Sequence, residues 1–185
     1  MATKGQIIEN ALTGDVYEFL ETSQDTQGAH MKLKLTLKSK GELVPNHFHT
    51  LQEETLEVVA GKLTIWLAGK VQILSAGEQI TLPKNIPHNH YNAHDEPLVF
   101  IQTVTPALDF EYLMQSLMGL TADGKMPNGK AGIVQELVTL KYLDSKSYLA
   151  SIPVPIQKLM MNVVAPIARL FGYRAIYKKY AGIEK

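Results

Sequence analysis

Strict alternation of apolar and polar residues at 31–38, MKLKLTLK, is the feature that most constrains the fold. Met31, Leu33, Leu35 and Leu37 fall on one face of an extended chain, and the lysines and a threonine fall on the other. This period of two predicts an antiparallel strand with one buried face.

Short runs of the same kind, separated by turn residues, fill residues 6–105. One strand is predicted within GDVYEFLET, and seven more follow the alternating segment, at 43–49, 54–60, 62–67, 71–74, 79–82, 88–92 and 98–105. Many short strands at this spacing predict a sandwich or barrel.

The apolar period changes after Pro106. Residues 107–120 predict a helix, 121–132 a loop and 133–150 a second helix. Four apolar residues share one face of the first helix: Phe110, Leu113, Met114 and Leu117. We therefore expect a barrel at 1–106 and a helical extension at 107–185, packed on the barrel or on a dimer partner.

The segment 152–173 carries a stripe of large apolar residues: Ile156, Leu159, Met160, Val163, Ile167, Leu170 and Phe171. Because exposed apolar stripes are normally covered, we expect it to pack on the barrel or on a partner subunit. A membrane span needs about 20 mostly apolar residues. Prolines and charges interrupt this segment and disfavour a span, and contact with a membrane surface stays open as a weaker alternative.

The net charge of zero hides an asymmetry along the chain. Residues 1–140 carry 10 Lys and Arg against 16 Asp and Glu, whereas residues 141–185 carry 8 against 2. An acidic front and a basic tail can attract each other within a chain or between chains. Nucleic acid is disfavoured as a partner because the basic residues are sparse and interleave with an apolar pattern.

Cysteine is absent, which excludes disulfides and thiolate metal ligands and is compatible with a reducing cytosol. The first residues contain no apolar run of signal-peptide length, so we expect a cytoplasmic protein.

Histidines and a carboxylate recur at positions that suit a metal site. His47 and His49 lie two apart on a predicted strand, so their side chains point the same way. The chain then turns and re-enters a strand at Glu54, and His88 begins a later strand. Imidazoles with one carboxylate suit one divalent transition metal: Fe, Mn, Ni, Cu or Zn.

These residues fall into two spaced motifs. The first runs through Gly41, His47, His49, Glu54 and Gly61, and the second through Gly77, Pro83, Asn85, His88 and Asn92. Over residues 6–105 the sequence resembles the cupin superfamily, whose members fold as a small jelly-roll β-barrel. It is similar to single-domain bacterial cupins in which helices follow the barrel. One position departs from the pattern, because Asn85 replaces a glycine; asparagine tolerates the left-handed region well, so we expect the turn to survive.

The resemblance implies one metal inside the barrel, held by His47, His49, Glu54 and His88. Glu53 is the alternative carboxylate, although the six-residue gap to Gly61 favours Glu54.

Further polar residues accompany the expected ligands. His90 shares the face of His88 and is the candidate catalytic acid or base; it could instead contact substrate or only orient a ligand. Gln102 is a candidate polar wall residue, Asn92 is expected to hold the backbone, and His94 is expected to be solvated.

The resemblance implies a metal-dependent enzyme acting on a small organic molecule, with dioxygenase-like chemistry first and isomerase-like chemistry second. The alternative is a non-catalytic module that binds or senses a small molecule, because a fold alone decides little about activity. Cupins are often dimers, and pairing of acidic barrel with basic tail would suit a homodimer.

Overall fold

The computed structural model describes residues 2–42, 44–126 and 131–185. The strands of these ranges are β1 (Ile7–Glu9), β2 (Val16–Glu21), β3 (Met31–Leu37), β4 (His47–His49), β5 (Glu53–Ala60), β6 (Lys62–Leu67), β7 (Lys70–Ser75), β8 (Gln79–Leu82), β9 (His88–Tyr91), β10 (Leu98–Thr105) and β11 (Ser147–Leu149). The helices are α1 (Phe110–Ala122), α2 (Ile133–Tyr142), α3 (Val154–Leu170) and α4 (Lys178–Ala181).

Two antiparallel sheets face each other across one apolar core. The first has the order β1-β2-β3-β10-β5-β8, and the second has the order β11-β4-β9-β6-β7. Both sheets contribute core side chains that are fully shielded from solvent, including Phe19, Leu33, Leu63, Ile65 and Phe100. The predicted fold, a mainly β jelly roll with a helical extension, is confirmed.

The strand predictions hold for most of the barrel. In β3 the buried positions are Met31, Leu33, Leu35 and Leu37, as the alternation predicts. The predicted strand 43–49 is shorter, since β4 begins at His47, and residue 43 lies outside the described residues. Residues 127–130 of the predicted loop 121–132 also lie outside them.

The second predicted helix, 133–150, is wrong beyond Tyr142. The chain leaves the helix there and forms β11, which pairs antiparallel with β4 through Ser147↔His49 and Leu149↔His47. The ring of Tyr148 stacks on Phe48 with centroids 5.8 Å apart. Pairing with β4 satisfies backbone groups that an uncovered edge strand would leave open, and this outweighs helical propensity.

Helix α1 does not bury the single face that its sequence predicts. Phe110 and Met114 pack on the barrel core, whereas Tyr112 and Leu113 pack on a separate cluster formed by the extension. The helix lies between two apolar clusters, so its apolar side chains divide between them. Buried Glu111 accepts a hydrogen bond from the backbone N–H of Ser23 at 2.8 Å.

The apolar stripe of α3 does not pack on the barrel, contrary to the first alternative above. The buried positions of this helix are Gln157, Met161, Ala165 and Ala168, which lie on its other side. Most of the stripe is exposed. Within the described parts of the chain, no helix is both long and apolar enough to cross a bilayer.

We predict that Tyr148→Ala lowers the free energy of unfolding by about 3 kcal/mol, because it removes a buried ring that holds β11 to β4. Urea unfolding followed by circular dichroism measures the change. The control is Tyr173→Ala, at an exposed ring, which should change stability by less than about 0.5 kcal/mol. Equal losses in the two variants would contradict the role of β11.

Candidate metal centre

Both sheets contribute side chains to one polar cluster inside the barrel. Strands β4 and β9 are neighbours with His47 opposite His88, and His49 lies one inward position further along β4. Glu54 comes from β5 in the facing sheet. All four side chains are buried, so the cluster lies between the sheets.

The three imidazoles converge. Ring nitrogens of His47, His49 and His88 all lie within 4.8 Å of one another, a spacing that one metal ion could span. The ring centroids are 4.8 Å apart for His47 and His88 and 5.1 Å apart for His47 and His49.

Glu54 stands beside this group. Its Oε1 lies 2.9 Å from Nε2 of His49, yet the two atoms are not aligned as a hydrogen bond. Adjacent ligands about 2.1 Å from a shared metal are themselves separated by about 3 Å. The contact therefore has the spacing of two neighbouring metal ligands.

Backbone carbonyls fix the tautomers of two imidazoles. Nδ1 of His47 donates to the carbonyl oxygen of Pro45 and Nδ1 of His88 to that of Ile86, each at 2.9 Å. A carbonyl only accepts, so each Nδ1 carries the proton and each Nε2 keeps a free lone pair. Such outer hydrogen bonds are typical of metal-ligating histidines.

Several polar atoms of the cluster lack partners. Nε2 of His88, both ring nitrogens of His49 and Oε2 of Glu54 are shielded from solvent and have no hydrogen-bond partner among the described residues. Buried polar atoms without partners are costly, and lone pairs that converge on one point fit a cation. The imidazoles of His47, His49 and His88 therefore fit a metal ion, and Glu54 lies beside them.

Burial sets the protonation of the cluster. It lowers the pKa of His47 to about 3 and lowers the pKa of His88, so both imidazoles are neutral near pH 7. Burial alone would raise the pKa of Glu54, but the contact with His49 outweighs it and the net pKa is lowered. Neutral imidazoles beside an ionised carboxylate are the forms that bind metal.

The other predicted site residues differ in how far they face the barrel interior. His90 is partly buried, faces the interior and meets the ring of Phe100 edge-on at 5.6 Å, and burial lowers its pKa. Gln102 lies on the buried face of β10.

Glu53 is exposed, which leaves Glu54 as the inward carboxylate. Asn92 bonds to the backbone of Glu96 and His94, as expected.

His94, expected to be solvated, is partly exposed. Its ring is partly buried, and Nε2 is shielded from solvent.

Two positions in the motifs have the backbone that their residues suggest. Asn85 has φ 63°, so asparagine does adopt the left-handed conformation in place of glycine. Its N–H donates to the carbonyl oxygen of His49 at 2.7 Å, which ties the turn to β4. Gly61 has φ 81°, and a Cβ there would lie 2.6 Å from the carbonyl oxygen of Pro97.

Residues outside the motifs also shape the centre. Phe110 of α1 meets the ring of His49 edge-on at 6.3 Å. Buried Gln52 donates to the carbonyl oxygens of Pro106 and Ala107, which ties the turn after β4 to the start of the extension. The sequence shows no signal for either contact, because both join segments more than 50 residues apart.

A family model matches the part of the chain that contains the polar cluster. The cupin domain model matches residues 35–104, which include all four clustered side chains. This part of the chain is a cupin domain. A comparison with curated proteins gives no match.

Several solved structures are similar to part of this chain. A cupin-superfamily sugar phosphate isomerase from Silicibacter pomeroyi is 19% identical with a TM-score of 0.44; the match covers 50% of this chain and 59% of that one, less than two thirds. KdgF from Halomonas sp. is 18% identical with a TM-score of 0.48, covering 56% and 89%. An RmlC-like cupin from Shewanella frigidimarina is 20% identical with a TM-score of 0.44, covering 58% and 90%. At this level of similarity, the activities of these proteins cannot be assigned to this chain.

We predict that acid destabilises the metal-free protein. An unfolded histidine has a pKa of about 6.5, whereas His47 in the folded chain has a pKa of about 3. Between these values the unfolded state binds the extra proton. The free energy of unfolding therefore falls as pH is lowered, with His47 contributing up to about 2 kcal/mol between about pH 7 and about pH 5.

Urea unfolding with a chelator present tests this at both pH values. The variant His47→Gln should show a smaller fall, and an unchanged fall would contradict the prediction. Glu54 adds to the loss only below its ordinary value of 4.5, because its folded-state pKa is lowered too.

Proposed function

We propose that this cupin is a metal-dependent enzyme that acts on a small organic molecule. One divalent transition metal, Fe, Mn, Ni, Cu or Zn, would be held by His47, His49, Glu54 and His88. The observation that carries the proposal is the convergence of three buried imidazoles beside a buried carboxylate, where Nε2 of His88 and Oε2 of Glu54 have no hydrogen-bond partner among the described residues.

When bound, the metal would supply Lewis-acid or redox chemistry at positions that its protein ligands leave open. The chain's own residues supply orientation and protons. His90 and Gln102 line the interior from β9 and β10, so they would contact a substrate that enters the barrel. His90 is neutral near pH 7 and can accept a proton from the substrate or pass one back.

Two reaction classes suit this arrangement. In a dioxygenase-like reaction a bound metal would supply redox chemistry; in an isomerase-like reaction it would supply Lewis-acid chemistry, and His90 would move the proton. The residues beside the cluster include Phe100, Phe110 and Ile65, so an apolar organic substrate suits it better than a strongly charged one.

A binding module is the second candidate function. The deep burial of His49, Glu54 and His88 favours it, because a shielded cluster can hold a structural metal without turnover. The clefts of about 260 and 270 Å³ beside α1 and α2 are not lined by these residues, so neither is an entrance to the cluster.

We further propose a cytoplasmic location, on the absence of cysteine. The homodimer remains a proposal supported by the opposite charge of the barrel and the tail.

Metal content tests the proposal directly. Tag-free protein that has not been exposed to nickel resin should contain about one equivalent of metal by elemental mass spectrometry. We expect this because the proposed ligand set would bind one metal ion. The double variant His47→Ala, Glu54→Ala should lose it, whereas Glu53→Ala, at the exposed neighbour, should keep it. No metal after reconstitution would overturn the metalloenzyme.

Turnover tests the role of His90. Oxygen uptake and substrate isomerisation are measured across a panel of small organic molecules. If His90 transfers a proton, His90→Gln should keep its metal and lower kcat by about 10²–10⁴-fold, whereas His94→Gln should change kcat little. Stoichiometric ligand uptake without turnover in the wild-type protein would support the binding module instead.

A further inference from the structure

Helix α3 presents an apolar surface that the described chain leaves uncovered. We call it the outer stripe: Ile156, Leu159, Val163, Ile167, Leu170 and Phe171. Leu159 is 67% exposed, Leu170 84% and Phe171 79%. Contiguous apolar surfaces of this kind mark sites of contact with a protein or a membrane.

The opposite side of α3 is fixed to the protein, so the stripe cannot turn inward. Met161 and Ala165 are buried in two apolar clusters of the extension. Gln157 bonds to both backbone groups of Leu149 on β11, at 3.1 and 2.9 Å. The described residues therefore supply no partner for the stripe.

The sequence segment that carries the stripe is basic, although ion pairs join Arg174 to Glu184 and Lys179 to Asp123. From residue 145 to residue 183 the sequence has six Lys and Arg and no Asp or Glu. Lys158 is exposed on α3, and Arg169 of the same helix is partly buried with its guanidinium over the ring of Tyr142, 4.5 Å from the centroid. The occupant that complements this surface is apolar within and negatively charged at its boundary.

We propose that the outer stripe docks on the surface of an anionic lipid bilayer. Apolar side chains of an interfacial helix enter the acyl boundary while nearby basic residues meet anionic headgroups. The stripe runs for about 22 Å along the helix, from Ile156 to Phe171, given a rise of about 1.5 Å per residue. The most exposed residues, Leu170 and Phe171, stand together where α3 ends.

A second copy is the less suitable occupant. Packing one stripe against another would bring two segments of like charge together, and like charges across an interface disfavour association. The acidic barrel of another copy supplies the opposite charge but would have to offer an apolar groove as well. This proposal does not depend on the metal chemistry, so either can fail alone.

Vesicle flotation with the full-length protein tests the proposal. Phosphatidylcholine vesicles with and without added phosphatidylglycerol serve as probes. The wild-type chain should bind the anionic vesicles, and added salt should weaken binding through screening. The double variant Leu159→Asn, Leu170→Asn should bind at least about tenfold more weakly, because it removes two side chains that enter the acyl boundary.

Matched control variants distinguish docking through the outer stripe from non-specific adsorption to vesicles. Leu12→Asn, Val71→Asn changes residues of similar exposure, 57% and 61%, on the barrel and should bind normally. Lys158→Glu should bind about fivefold more weakly or worse, whereas Lys62→Glu, exposed on β6, should not. No binding by the wild-type chain, or equal binding to neutral vesicles, would overturn the proposal. Self-association of the wild-type chain in sedimentation, abolished by Leu159→Asn, Leu170→Asn, would also overturn it. The stripe would then be the interface with a second copy.

Discussion

The pairing of β4 on both of its edges is the constraint on which the candidate centre depends. This strand has three residues, and two of them are the imidazoles of His47 and His49. On one edge it meets β9, which brings His88 opposite His47, and on the other it meets β11. So short a strand has too few backbone hydrogen bonds to hold its own place, and its two neighbours set the direction of both rings.

Protonation follows from the position between the sheets. Imidazoles in water titrate near neutrality, whereas burial holds the pKa of His47 and His88 low and keeps their lone pairs available. Carbonyl oxygens of Pro45 and Ile86 select the tautomer, and the contact with His49 keeps Glu54 ionised. Burial and these contacts thus keep the imidazoles of His47 and His88 neutral beside an ionised carboxylate, the forms that could bind a metal.

The helical extension contacts the barrel on one side and carries the outer stripe on the other. Its β11 covers the outer edge of β4, and Phe110 of α1 reaches the ring of His49. Gln157 joins β11 to α3, whose outer stripe faces away from the protein. One continuous set of contacts therefore connects the candidate centre with the surface that we assign to a lipid bilayer.

The sequence by itself determined the barrel and the identity of the polar cluster. A period of two survives in β3 because one face is buried along its length, and motif spacing places Asn85 and Gly61 where positive φ is needed. Only the tertiary structure decided that residues 147–149 form a strand, that α1 divides its apolar residues between two clusters and that the stripe of α3 stays exposed. Local periodicity reports which side of an element is apolar, whereas the partner of that side is set by segments distant in sequence.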